Sequence, residues 1–360
     1  MKIGASTLLL IFVLPLAAAA QSVSPPPAPE SAPAAEPPRL TGWLDSATAA
    51  SLVKEQRVQV QAPPTDRPPR RPSMVGYIND GGIQSQFRFR FDAGTEIDSA
   101  DRAEFFYPKC GCYRGLPADH AAFDPDAPGP GPGIATELSY QQFYLQAEYA
   151  FRDRVSVFGE LPVRWLHPQA FAPGSGTFDD HSGISDLRVG MKLGMLASDT
   201  SALTLQLQGT LPSGDGGKGL GVEHFSFEPA LLFNQSVNDR VRLEGQFGVV
   251  LPSGGSDGIA TTDESFAGKV LYYGFGPSVE IFRGDNVRFA PVLELVGWRV
   301  LDGFQTSTFS EIDGINIVNL KIGGRFVFRD RSSVYVGYGR GLTDAVWYHD
   351  VFRLEFRHGF

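Results

Sequence analysis

From about residue 83 onward, large apolar residues return at every second position in one segment after another. Phe87, Phe89 and Phe91 alternate with Arg88 and Arg90, and Phe143, Leu145, Ala147, Tyr149 and Phe151 alternate with Tyr144, Gln146 and Glu148. Leu187, Val189, Met191 and Leu193 are set against Arg188, Gly190 and Lys192, and Leu203, Leu205 and Leu207 against Thr204, Gln206 and Gln208. Successive side chains of a strand point to opposite faces, so a period of two predicts strands with one apolar and one polar face. Twelve segments obey it, at about 83–92, 139–151, 155–166, 184–196, 202–212, 224–237, 241–252, 269–282, 287–299, 316–328, 333–342 and 351–360. No helical stripe competes with this pattern.

The connections alternate as well. Short polar turns at 151–155, 197–201, 238–240, 283–286 and 329–332 are separated by long Gly- and Pro-rich links such as 167–183, 253–268 and 301–315. Two architectures hide one apolar face per strand. A soluble sandwich buries it against a second sheet and leaves edge strands. A transmembrane barrel turns it to lipid, where every backbone polar group needs a partner and only closure supplies one. Short turns on one side and long loops on the other fit the barrel, with the short turns in the periplasm. The predicted fold is all-β, a transmembrane antiparallel β-barrel of about 12 strands occupying residues 75–360. Twelve strands also return both ends of the barrel to the short-turn side.

The chain ends add a destination. MKIGASTLLLIFVLPLAAAAQ has a basic residue at Lys2, an apolar run from Leu8 to Leu16 and an A-x-A site before Gln21, so residues 1–20 read as a secretory signal. Without Lys2 the exported chain carries a net charge near −10, which argues against a nucleic-acid partner. The last strand sets Phe352, Leu354, Phe356 and the terminal Phe360 on one face and Arg353, Glu355 and Arg357 on the other. This ending resembles the C-terminal signal by which bacterial outer-membrane proteins are recognised for assembly, with His358 where an apolar residue is commoner. The expected location is the outer membrane of a Gram-negative-type bacterium, and the expected partners are its lipid, the barrel assembly machinery and a small-molecule solute.

A family resemblance rests on GISDLRVGMKLGML (183–196), TLPSGDGGKGLG (210–221) and VNDRVRLEG (237–245). These phrases resemble the transporters named for the MetA pathway of phenol degradation, relatives of the long-chain fatty-acid channel group, over about residues 140–360. Ser185 and Ser213 stand where that family carries a glycine and a threonine. The resemblance implies a barrel and a channel or transporter for small solutes, with hydrophobic or aromatic cargo favoured by the family's name. The alternative is a closed barrel serving as an anchor or a scaffold for surface loops.

The residues that would set selectivity lie on the polar parity. Arg88, Arg90, Glu160, Arg164, Arg188, Lys192, Glu228, Glu244, Glu294, Lys321, Arg325 and Glu355 are the lumen-lining candidates. With Glu148, Asp186, Arg242, Glu280, Arg288, Arg353 and Arg357, the inward face holds eleven basic and eight acidic groups. Such a balance either lines a water path or pairs off and seals it, and twelve strands lie between the filled eight-stranded and the open sixteen-stranded barrels.

Residues 21–74 are different in kind. The stretches at 24–39 and 63–72 are proline-rich and cannot pack a core, and 45–56 has the pattern of a short capped helix. A disordered periplasmic tail, a plug threading back into the lumen and a tether to the cell wall all suit such a segment. GDGGKG (214–219) lacks the Ser or Thr of a phosphate loop after Lys218. Cys110 and Cys112 are too few for a metal site, so a local disulfide is expected in an oxidising compartment, with free or metal-bound thiols as alternatives. No cofactor is expected. A membrane-embedded hydrolase would need a Ser–His or Asp–His constellation; His181-Ser182 and His349-Asp350 are only neighbours in sequence, and an enzyme is not the expected reading.

Overall fold

The computed structural model describes residues 72–98, 110–120, 123–127, 129–152, 154–253, 267–305 and 310–360. The chain divides into two units, Met1–Thr65 and Asp66–Phe360, and all the described residues belong to the second. The expected signal peptide, the helix at 45–56 and the two proline-rich stretches up to residue 71 lie outside the described residues.

Twelve strands form one closed antiparallel barrel. They are β1 Gln86–Ile97, β2 Ala135–Arg152, β3 Val155–Phe171, β4 Leu187–Ala197, β5 Ser201–Leu211 and β6 Phe225–Ser236. After them come β7 Val241–Ser253, β8 Val270–Val279, β9 Val287–Val300, β10 Asn316–Phe328, β11 Ser332–Gly341 and β12 Asp350–Gly359. Each pairs with its neighbours in sequence, and β1 pairs with β12 from Gln86↔Gly359 to Thr95↔Asp350. Closure leaves no strand edge, the liability that an open sheet carries in water and cannot carry in lipid. The expected fold is therefore the observed one.

The alternation places the apolar parity outside. Phe87, Phe89, Leu145, Leu231, Phe275, Leu295, Phe326 and Leu354 are exposed on the exterior, while Arg88, Arg90, Glu148, Glu294, Arg325 and Glu355 are buried within. Phe360 follows β12 and stacks on Phe87 with ring centroids 4.9 Å apart, so the aromatic ending belongs to the outer band. The short turns are built from local chemistry. Arg329 and Asp330 both hold positive φ (48° and 58°), and Arg331 donates its N–H to the Phe328 carbonyl, a type I′ turn whose twist suits a hairpin. Asn238 accepts from the N–H groups of Arg240 and Val241, an Asx turn.

Two segments depart from the periodic reading. The stretch expected as one strand over 184–196 is broken: His181–Ile184 pairs with the far end of β3, and β4 begins only at Leu187. The corner between them is fixed by Asp186, whose carboxylate accepts from the N–H groups of Ser213, Gly214 and Val222 at 3.1, 2.9 and 2.8 Å. The two motif phrases thus touch, the Asp186 of the first organising the loop of the second. The other departure is larger. Residues 72–85, of which 75–85 were expected to begin the barrel, are not strand; they run inside it from the short-turn end to mid-lumen and back to the start of β1. Met74, Val75, Tyr77 and Ile78 share one apolar cluster with Val292, Val296 and Tyr335 of the wall, so the buried core sits within the barrel.

Candidate functional site

All twelve lumen-lining candidates point inward, in two tiers. In the short-turn half, Lys192, Glu244, Glu294, Arg325 and Glu355 enclose the luminal segment. Glu294, on β9, has a fully buried carboxylate that accepts from the N–H groups of Gly76, Tyr77 and Ile78 at 2.9, 2.9 and 2.8 Å. Glu244, on β7, takes those of Met74 and Val75, and Gln246 takes that of Asn79. The segment's carbonyls are met by cations: Arg325 reaches those of Met74 and Val75, Arg357 that of Val75, Arg353 that of Gly76 and Lys192 that of Gly82. Arg325 also pairs with Glu355 at 2.7 Å, both side chains being wholly buried. Buried charges persist only when paired and hydrogen-bonded, and the backbone of residues 72–82 supplies much of that partnership here.

Gly76 fits this place for a steric reason. A Cβ there would lie 2.2 Å from the Tyr335 ring, and Gly323 and Gly337 leave the same ring its room on the other side. Tyr335, thus seated, donates its hydroxyl to Glu294 at 3.0 Å.

In the long-loop half the lumen opens into a vestibule of about 320 Å³, floored by Tyr77 and Asn79 of the luminal segment. Arg88, Arg90 and Arg188 converge on Glu160 at 2.9, 3.7 and 3.1 Å. Arg164 donates to Gln142 at 2.8 Å, and Glu228 accepts from Gln208 and Thr210. The wall counts six cationic side chains (Arg88, Arg90, Arg164, Arg188, Lys321, Arg353) against four acidic ones (Asp92, Glu160, Asp186, Glu228). This cationic excess sits in a protein whose formal net charge is −9. His224, on the loop before β6, adds no further charge, because burial lowers its pKa below the ordinary imidazole value.

Aromatic rings complete the wall. The Lys321 amine lies 3.9 Å from the ring centre of Tyr77, 5.1 Å from that of Tyr348 and 5.7 Å from that of Trp298. Among the described residues no carboxylate is within ion-pairing distance of it. Trp298 stacks on Trp347 at 5.3 Å, and the Arg90 guanidinium lies 3.6 Å over Tyr144. Sequence periodicity missed Tyr77, Asn79, Trp347 and Tyr348, which lie outside regular strands. The signal that could have found the first two is the run Met74–Ile78, apolar and ungapped immediately after a proline-rich stretch.

Cys110 and Cys112 form a disulfide across two residues, in a small cluster with Tyr113 and Ala127 in the loop after β1. Phe352, Leu354, Phe356 and Phe360 face outward, with His358 between them accepting or donating to Ser332 at 2.9 Å. Lys218 pairs with Asp215 on the exposed loop after β5 and has no role in the vestibule wall.

Among solved structures, the chain is similar to an outer-membrane channel from Pseudomonas putida F1, at 12% identity and a TM-score of 0.48, over 81% of this chain and 99% of that one. It is similar to the NanC porin at 6% identity and a TM-score of 0.43, over 77% and 100% of the two chains. LpxR from Salmonella typhimurium follows at 10% identity and a TM-score of 0.41, over 77% and 100%. No curated protein matches the sequence. A family model matches residues 135–347, from the start of β2 to the vestibule's Trp347, and the chain belongs to the family described as "Putative MetA-pathway of phenol degradation".

Proposed function

We propose that this protein is a channel of the outer membrane for small solutes, and that its vestibule favours small aromatic anions. The observation that carries the reading is the vestibule itself: a cavity inside a lipid-facing barrel, on the side of the long loops, with more cationic than acidic groups and several aromatic rings in its wall. Fixed charge in a narrow, partly dehydrated lumen decides which ion enters, and ring faces give an aromatic solute a place to stack. Nothing in this role calls for bond-making chemistry. The volume, about 320 Å³, is enough for a single ring with a carboxylate.

Purified protein in a planar bilayer is expected to conduct in steps with a preference for anions. Arg90→Glu and Arg188→Glu should each move that preference toward cations, and benzoate should enter cells carrying the protein faster than its uncharged analogue benzamide. Silent bilayers, together with equal benzoate uptake by cells with and without the protein, would refute the channel. They would instead support the scaffold, which the extensive charge pairing and the filled short-turn half of the lumen also favour.

A further inference from the structure

The wall's grip on residues 72–82 is of an unusual kind. Every N–H from Met74 to Asn79, six in a row, is accepted by a wall side chain, and only Glu244, Gln246 and Glu294 are needed to do it. Consecutive N–H groups converging on one carboxylate form the concave anion cradle known from loops, here closed around a group of the barrel. The carbonyls between and beyond them go to arginines, Thr204 and Lys192. These are contacts to main-chain atoms, which any non-proline residue would offer. The position with a strict side-chain requirement is Gly76, for the steric reason given by Tyr335.

A second observation concerns attachment. Among the described residues, none of 72–84 joins a ladder or makes a backbone–backbone hydrogen bond to a strand. The segment could leave the lumen without breaking any pairing that closes the barrel. A fixed strand, by contrast, would be held by the ladder itself.

We propose that the short-turn half of the lumen is a binding site for a bent peptide backbone with a central glycine, and that residues 72–82 are its resident ligand, acting as a releasable plug. The plug role rests on the channel reading; the binding site does not. Its floor position makes Tyr77 the contact between solute and plug, since the same ring faces the vestibule and lies against Lys321 and Arg353.

The test replaces residues 74–79 of the full chain by a six-proline linker, which has no N–H for Glu244, Gln246 and Glu294 to hold, with folding confirmed by heat-modifiable gel migration. A fluorescently labelled synthetic peptide of residues 72–82 is then titrated onto the variant and the parent in detergent micelles. Saturable binding to the linker variant is expected, at least tenfold tighter than to the parent, whose site is filled. N-methylation of the peptide at its positions 76–78, a valine in place of its glycine 76, and Glu294→Gln in the wall should each weaken binding at least tenfold. Equal binding to both proteins, or indifference to N-methylation, would overturn the site. In bilayers the linker variant should conduct severalfold more than the parent and be blocked by the free peptide; conductance equal to the parent's overturns the plug. Should the linker variant not fold, the decision passes to Val75→Cys/Gly276→Cys in a Cys110→Ser/Cys112→Ser background. A Cβ at Gly276 would meet a Val75 methyl at 2.8 Å, so the pair can be pinned by oxidation. Conductance silenced by pinning and restored by reductant supports the plug, and conductance untouched by pinning overturns it. Peptide binding without conductance in any folded variant would leave the site standing while removing both the plug and the channel.

Discussion

Replacing Arg325 by methionine probes the energetics of the filled lumen at its centre. The guanidinium is fully buried on β10 and serves four acceptors: the Met74 carbonyl at 2.9 Å, the Val75 carbonyl at 2.6 Å, the Ser333 hydroxyl at 3.0 Å and Glu355 at 2.7 Å. The substitution does not strip them equally. Glu355 keeps Arg357 at 2.7 Å and the Val75 carbonyl keeps the same arginine at 3.0 Å, whereas the Met74 carbonyl loses its donor. An orphaned buried acceptor costs about 1–3 kcal/mol and a lost charge-assisted bond about 1.5–3 kcal/mol. The sum falls near the 3–5 kcal/mol typical of breaking a buried pair. That is on the order of 10²–10⁴ in the folding equilibrium, at about 1.4 kcal/mol per decade. Urea titrations of protein refolded into lipid vesicles, followed by tryptophan fluorescence, measure it. Arg340→Met is the matched control, because Arg340 is exposed and only 4.0 Å from Asp350; an exposed pair of this kind is worth about 0–1 kcal/mol. In the linker variant, where the Met74 and Val75 carbonyls are absent from the lumen, the cost of Arg325→Met should fall by about 1–3 kcal/mol. Equal stability of Arg325→Met and Arg340→Met would refute the reasoning, and so would a cost unchanged by removal of the segment.

Phe89→Arg, on the exposed exterior of β1, should cost about 2–4 kcal/mol if the residue sits near the bilayer midplane and impair insertion into vesicles. Gly337→Leu should destabilise by about 1–3 kcal/mol or more through overpacking, since even a Cβ there meets the Tyr335 ring at 2.5 Å; the same urea titration reads it. Deleting Phe360 removes the ring stacked on Phe87 and should reduce the heat-modifiable, folded fraction recovered from membranes. Cys110 and Cys112 should resist thiol labelling until reductant is added.

The barrel was legible along the chain because its determinants are local. Alternation within each strand depends only on the pleat, so Phe87, Phe89 and Phe91 declare a lipid face without reference to any partner. Turn length is equally local, and the contrast of short turns with long links orders the hairpins. The break at Ser185–Asp186 leaves only a slip of parity, from Ile184 to Leu187, as its trace along the chain; what bends the chain is a carboxylate capping a loop 27 residues away or more. The inward charges were legible as inward, and Arg90 facing Glu355 followed once the first strand was placed beside the last. Their use was not. Whether Glu294 lines water or holds a segment depends on residues 216–218 positions distant in the chain, meeting only after twelve strands have closed. A run such as Met74–Ile78 has no periodicity to read, and its N–H groups carry no sequence signature at all. Side-chain identity writes the outside of this barrel; the filling of its inside is decided by backbone groups that every sequence shares, and those find their carboxylates only in three dimensions.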